Sequence, residues 1–147
     1  MKQQVKVKKL NEKAILPTYG SEYSAGSDLY ACMDETVTIQ PGETLLVKTG
    51  LAMAIPEGYA GLIYARSGLA TKKGLAPANK VGVVDSDYRG EVMVPLHNHS
   101  RAAVEVEHGE RIAQMVITPF LTAEYMLSEE LDDTKRGQGG FGSTGTK

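Results

Sequence analysis

Apolar and polar positions alternate in short runs along most of the chain, and turn residues interrupt them at intervals of roughly ten residues. Val5, Val7 and Leu10 alternate with lysines and a glutamine, which predicts an opening strand with one wet face. Its lysines suit a sheet edge, where charge discourages mispairing. Further strands are predicted over 36–39, 44–48, 51–55 and 60–65, separated by Pro41-Gly42, Gly50 and Pro56-Glu57-Gly58. After them come 91–98, 103–107 and 112–117, with Gly109-Glu110 as a tight turn, and a last strand at 121–127. One segment breaks the pattern. Ser67 can N-cap, Lys72 and Lys73 stand in a last turn and Gly74 is a stop, which predicts one short helix over 66–74. The whole reads as an all-β sandwich or barrel with one short helix.

At 147 residues the chain fits one domain, and a domain of this size buries about two thirds of its unfolded surface without a metal or disulfide. Sixteen glycines and no tryptophan accompany the short strands and many turns. Sixteen basic and eighteen acidic residues are intermixed, for a net charge of −2, so no broad basic face marks a nucleic-acid polymer as partner. An anionic ligand would have to be small and locally gripped. Cys32 is alone, which excludes an internal disulfide and a cysteine-based zinc site and suits a reducing compartment, with the cytoplasm expected. No apolar core of signal-peptide length follows Lys2, Lys6, Lys8 and Lys9, and no run is long enough to span a membrane.

The stretch Gly82-Val83-Val84-Asp85-Ser86-Asp87-Tyr88-Arg89-Gly90 reads as a hairpin with chemistry on it. Gly82 and Gly90 permit sharp turns or close backbone approach. Asp85 follows an apolar run, so its carboxylate is expected beside apolar walls, where a base is useful. Ordinary turn chemistry also accounts for Asp-Ser-Asp. Upstream, small residues in Ser24-Ala25-Gly26-Ser27 bring the backbone close to a neighbour before Asp28, a turn residue or a ligand to a cation. The predicted helix start offers backbone N–H groups, the Ser67 hydroxyl and Arg66 to a phosphate, or is simply a capped surface turn. Gln114 lies inside an apolar run, as a satisfied core amide or a ligand contact. His97 and His99 share a strand face with no third ligand in register, and read as surface histidines.

Residues 128–133 form an acidic linker, and the glycine-rich tail from Arg136 to Gly145 cannot fold alone. The tail contains G-x-G-x-x-G at Gly137, Gly139 and Gly142, but a Rossmann turn needs a strand before it and a helix after it. A P-loop is refused too, since no Lys-Ser/Thr pair follows spaced glycines. What remains is an arm able to close on a ligand, with Arg136 for anionic oxygens and Phe141 to stack on a ring, or a disordered terminus.

Five stretches, in order, resemble the five motifs of the trimeric deoxyuridine triphosphatases (dUTPases). They are Ala25-Gly26-Ser27-Asp28-Leu29, Arg66-Ser67-Gly68-Leu69-Ala70, residues 82–90, Gly109-Glu110-Arg111-Ile112-Ala113-Gln114, and Arg136 through Gly145. Ser27 is the one departure, where the family commonly has a larger residue. The resemblance implies a jelly-roll-like (β-clip) subunit in a homotrimer with sites at the subunit interfaces. It assigns residues 1–127 to the core and 128–147 to the linker and an arm closing over the site. The implied activity is hydrolysis of dUTP to dUMP and pyrophosphate by water attack on the α-phosphorus. This would limit uracil in DNA and supply dUMP for thymidylate synthesis.

Carried over by residue, the resemblance makes Asp85 the base and gives Asp28 a Mg²⁺ ion through water. Arg66, Ser67, Gly68 and Gln114 would contact phosphate, and Arg136, Gly142, Ser143 and Thr144 would close on the γ end. Phe141 would cover the uracil, Asn79, Gly82 and Val84 would read it, and Tyr88 would pack under the deoxyribose. Two rivals stand beside this. A deoxycytidine triphosphate deaminase shares the fold, but needs an acid suited to amine displacement and lacks this complete tail. A non-catalytic trimer that senses dUTP is opposed by the intact Asp85 and tail.

Overall fold

Short β-branched runs between glycine and proline turns become strands because a branched Cβ packs well on a pleated surface. The computed structural model describes residues 2–145. In chain order it forms β1 (Lys6–Lys9), β2 (Thr18–Tyr19), β3 (Ser27–Tyr30), β4 (Val37–Ile39), β5 (Thr44–Ala54), β6 (Tyr59–Tyr64) and α1 (Ser67–Lys73). There follow β7 (Leu75–Pro77), β8 (Gly82–Val84), β9 (Glu91–Asn98), β10 (Val104–Val106) and β11 (Arg111–Pro119). One sheet has the order β1-β5-β9-β7, a second β2-β3-β11-β6-β8, and β10 pairs with β4 alone. The inner faces close on a single buried cluster that includes Leu29, Leu51, Ile63, Leu75, Val94, Leu96, Ile112 and Met115. This is the predicted all-β, jelly-roll-like architecture with one short helix, and the lysine-bearing β1 does lie at a sheet edge.

In β9 the alternation is strict. Val92, Val94, Leu96 and Asn98 are buried, while Glu91, Met93, Pro95 and His97 are half-buried on the other face. Asn98 is fully buried and satisfied, donating from Nδ2 to the carbonyls of Ile39 and Ala102 at 2.8 Å each. The two strands predicted at 44–48 and 51–55 are one strand with a bulge. The register with β9 shifts between Lys48 and Ala52, and Gly50 takes a φ of +68°. A side chain at Gly50 would also meet Ala14 Cβ and Cys32 Sγ at 2.9 Å, so glycine is needed twice over.

Other expectations are corrected. Residues 82–90 are not a hairpin: β8 pairs with β6 of the five-stranded sheet, and the chain then crosses into β9 of the other. Ser67 is not the N-cap but the first helical residue; Arg66 holds the cap position with extended backbone and no side-chain cap bond. The Gly74 stop stands, at φ 69°, with Lys72 and Lys73 in the last turn. Residues 121–127 form no strand, and Leu121, Tyr125, Met126 and Leu127 are almost fully exposed. Among the described residues they have no neighbouring strand to complete a ladder.

Candidate active site

Three strands of the second sheet align the centre of a polar cleft. In the register of β3, β11 and β6, Gln114 lies opposite Asp28 on one side and Tyr64 on the other. All three line a cleft of about 440 Å³ with Ser24, Arg66, Ser67, Gly68 and Arg111. Gly26 makes room for the amide, because a Cβ there would come within 2.4 Å of Gln114 Oε1. Gln114 Nε2 donates to the Ala65 carbonyl at 2.9 Å, so the amide is both a satisfied group and part of the cleft wall. Asp28 sits within β3, not in a turn. Its Oδ1 accepts from Arg66 Nε at 2.7 Å and its Oδ2 from Arg111 Nη1 at 3.4 Å. Asp28 and Arg66 are largely sheltered, with side chains 12% and 26% exposed, so this pair is screened less than a surface one. Ser27 is buried and donates to the Met115 carbonyl at 3.3 Å, which accommodates the small side chain.

Arg111 was not among the candidates, and a bulge explains why. Strict alternation puts positions 111 and 114 on opposite faces. The register of β11 on β3 shifts between Arg111 and Ala113, and Ile112 and Ala113 are both buried in succession. That shift turns Arg111 to the same cleft as Gln114. The sign available in the sequence was the apolar pair Ile112-Ala113 before a polar residue.

The second group of candidates lines a different cleft, of about 320 Å³, that shares no residue with the first. Asn79, Gly82, Val84, Asp85 and Tyr88 are joined there by Leu46, Ile63, Val83, Glu91, Met93 and Pro95. Leu46, Met93 and Pro95 come from facing positions of β5 and β9, whose register pairs Leu46 with Pro95. No sequence window of one element could show this wall. β8 ends its sheet, so among the described residues its outer backbone edge is claimed by no strand. Lys80 adopts φ 65°, and Val81 N donates to the Asn79 carbonyl at 2.7 Å, which turns the chain tightly into β8. Asp85 emerges at the end of β8 beside the expected apolar walls, although it is itself exposed. Asp87 sits on the turn and does not line the cleft.

Arg136, Phe141, Gly142, Ser143 and Thr144 line a third cleft, in the tail, with Gly140. Among the described residues the hydrogen bonds of Thr134 through Gly145 stay within the segment, as in Arg136 Nε to the Gly139 carbonyl at 2.8 Å. Phe141 is fully exposed at φ 50°. Among the described residues the candidates thus fall into three groups whose clefts share no lining residue.

Elsewhere, His97 and His99 meet edge to face at 4.5 Å, and desolvation, then the charges of His97 and Lys80, push the His99 imidazole down. Among the described residues no group of three His, Cys, Asp or Glu side chains could hold a metal ion. Of the described residues, Asp28 is the one acid lining the polar cleft. Among the described residues no helix is long and apolar enough to cross a membrane.

A family model described as dUTPase matches residues 12–145. A relative from Hydrogenobaculum sp. (strain Y04AAS1), named deoxyuridine 5'-triphosphate nucleotidohydrolase, is 52% identical over 96% of this chain and 97% of its own. One of the same name from Acinetobacter baumannii (strain AYE) is 49% identical over 99% of each chain. Among solved structures, the Staphylococcus bacteriophage 80alpha dUTPase with dUPNHPP superposes with a TM-score of 0.89 at 31% identity, covering 98% of this chain and 99% of that one.

Proposed function

The chain belongs to the dUTPase family, and from that premise we propose how its clefts carry out the hydrolysis of dUTP to dUMP and pyrophosphate. The observation that carries the reading is Asp85 at the rim of the apolar cleft, with Tyr88 beside it and the open backbone edge of β8 along it. Uracil enters that cleft, where Asn79 and the backbone of Gly82 and Val84 meet its polar edge. A slot of fixed donors and acceptors rejects cytosine, and tight walls reject the thymine methyl. Tyr88 packs under the deoxyribose and leaves no room for a 2′-hydroxyl.

The polar cleft takes the phosphates. Ser67, Gly68, Gln114 and the Nη groups of Arg66 meet their oxygens, and Arg111 adds a second guanidinium. Asp85 takes a proton from water as its oxygen bonds to the α-phosphorus. The bond from that phosphorus to the bridging oxygen breaks, and pyrophosphate leaves. Among the described residues a single acid lines the cleft and no group of side chains could cage an ion, so Mg²⁺ would come in on the triphosphate and be held by Asp28 through water. When bound it neutralises phosphate charge.

The working unit is a homotrimer with sites at its interfaces. Two features support this: the candidates fall in clefts that share no residue, and exposed apolar side chains from Leu121 to Leu131 call for cover. The core spans residues 1–127, and 128–147 serve as linker and arm, with Arg136, Gly142, Ser143 and Thr144 on the γ end and Phe141 over the uracil. Balanced charge offers no face for a nucleic-acid polymer, and the lone Cys32 suits the cytoplasm. Pyrophosphate release from each deoxynucleoside triphosphate, with Mg²⁺ and with chelator, tests the reading. Release from dUTP alone, lost with chelator, is expected; no release from dUTP overturns it.

A further inference from the structure

Gly90 has no conformational reason to be glycine. Its φ is not in the left-handed region, unlike those of Gly42, Gly50 and Gly74, so its backbone is open to any residue. What a side chain would meet there is Tyr88. A Cβ on Gly90 would lie 2.4 Å from the phenolic oxygen, 2.6 Å from Cζ and 3.0 Å from Cε2. The Tyr88 ring is folded back onto the bare α-carbon of a residue two positions on.

The surroundings fix the loop more firmly than the ring. Tyr88 N donates to the Asp85 carbonyl at 3.2 Å, and Arg89 Nη1 donates to the carbonyls of Ser86 at 2.7 Å and Tyr88 at 3.0 Å. Glu91 anchors the far end, its Oε1 accepting from Gly50 N at 2.9 Å while its carbonyl accepts the Tyr88 hydroxyl at 2.9 Å. A methyl group at position 90 would therefore displace the ring, which its single hydroxyl bond to Glu91 holds, before it displaced a loop held by the other four bonds.

We infer that Gly90 is a positioning residue for sugar choice, acting through Tyr88 by giving its ring a seat that any side chain would fill. This rests on the reading of Tyr88 as the deoxyribose platform. The gap that separates a 2′-hydrogen from a 2′-hydroxyl is set by where the ring lies, and the ring lies where it does because position 90 is empty.

The test compares specificity constants for dUTP and UTP in wild type, Gly90→Ala, Tyr88→Ala and the double variant. Gly90→Ala should lower the dUTP-over-UTP ratio about tenfold, the scale on which an ill-fitting wall discriminates, and should lower it no further once Tyr88 is alanine. An unchanged ratio in folded Gly90→Ala, or an equal further fall in the Tyr88→Ala background, overturns the seat. An unchanged ratio in Tyr88→Ala overturns the platform, and the seat with it, so the two failures are told apart. If Gly90→Ala fails to fold, Tyr88→Ala should rescue it by removing the clashing ring; a double variant that stays unfolded overturns the proposal.

Discussion

Arg66 Nε donates to Asp28 Oδ1 at 2.7 Å across 38 residues of sequence, and joins the residue before α1 to the middle of β3. Arg111 takes the other carboxylate oxygen, so Asp28 separates two guanidiniums. Asp28→Ala should leave these facing each other and cost about 1–3 kcal/mol in urea unfolding, less than a fully buried pair because Arg111 is half exposed. Arg111→Gln should raise KM for dUTP by about tenfold at most with melting little changed. An Arg111→Gln enzyme with wild-type KM would remove Arg111 from the phosphate cleft.

Asp85→Asn should keep the fold, since the side chain is exposed, and should keep dUTP binding. Turnover should fall by ~10²-fold to 10⁴-fold, the range for loss of a general base. Asp87→Asn is the comparison, and a larger loss there would make Asp87 the base in place of Asp85.

Gly26→Ala should act on phosphate binding through Gln114. A Cβ at 2.4 Å from Oε1 pushes the amide off the Ala65 carbonyl. KM should rise by about the same factor as in Gln114→Ala, and the double variant should be no worse than either. Additive losses would show that Gly26 acts by another route.

Removing residues from Arg136 onward should leave melting nearly intact, because the bonds of that segment are local. Hydrolysis should be mostly lost. A non-hydrolysable dUTP analogue should protect the tail of the full chain from protease; equal cleavage with and without it would contradict a closing arm.

Asp85→Asn subunits and tail-deleted subunits, each nearly inactive, should complement when denatured, mixed equally and reassembled. A site works when Asp85 comes from a tail-deleted chain and the tail from an Asp85→Asn chain. About a quarter of sites should then recover, as random assembly of shared sites predicts. No recovery in trimers shown by mass to be mixed would mean that each site is built within one chain.

Cys32 is buried, and desolvation, then the charges of Glu91 and Asp34, push its thiol up. A thiolate reagent at neutral pH should therefore label it only after unfolding.

What the sequence determined is what depends on near neighbours. Short apolar runs between turn residues marked β9 and β11, the glycine stop ended α1, and the order of short motifs named the residues that line the clefts. What the tertiary structure decided depends on partners far along the chain. Leu46 and Pro95 form one wall only because β5 pairs with β9 in that register. The bulge in β11 reverses facing, so Arg111 and Gln114 share a cleft against their spacing. β8 joins β6 rather than the strand that follows it. Residues 121–127 carry the side chains of a strand but have no ladder to join in one chain. A side chain's preference for extended backbone is local and can be read in place, whereas the edge that backbone pairs with is chosen by packing two sheets around a common core.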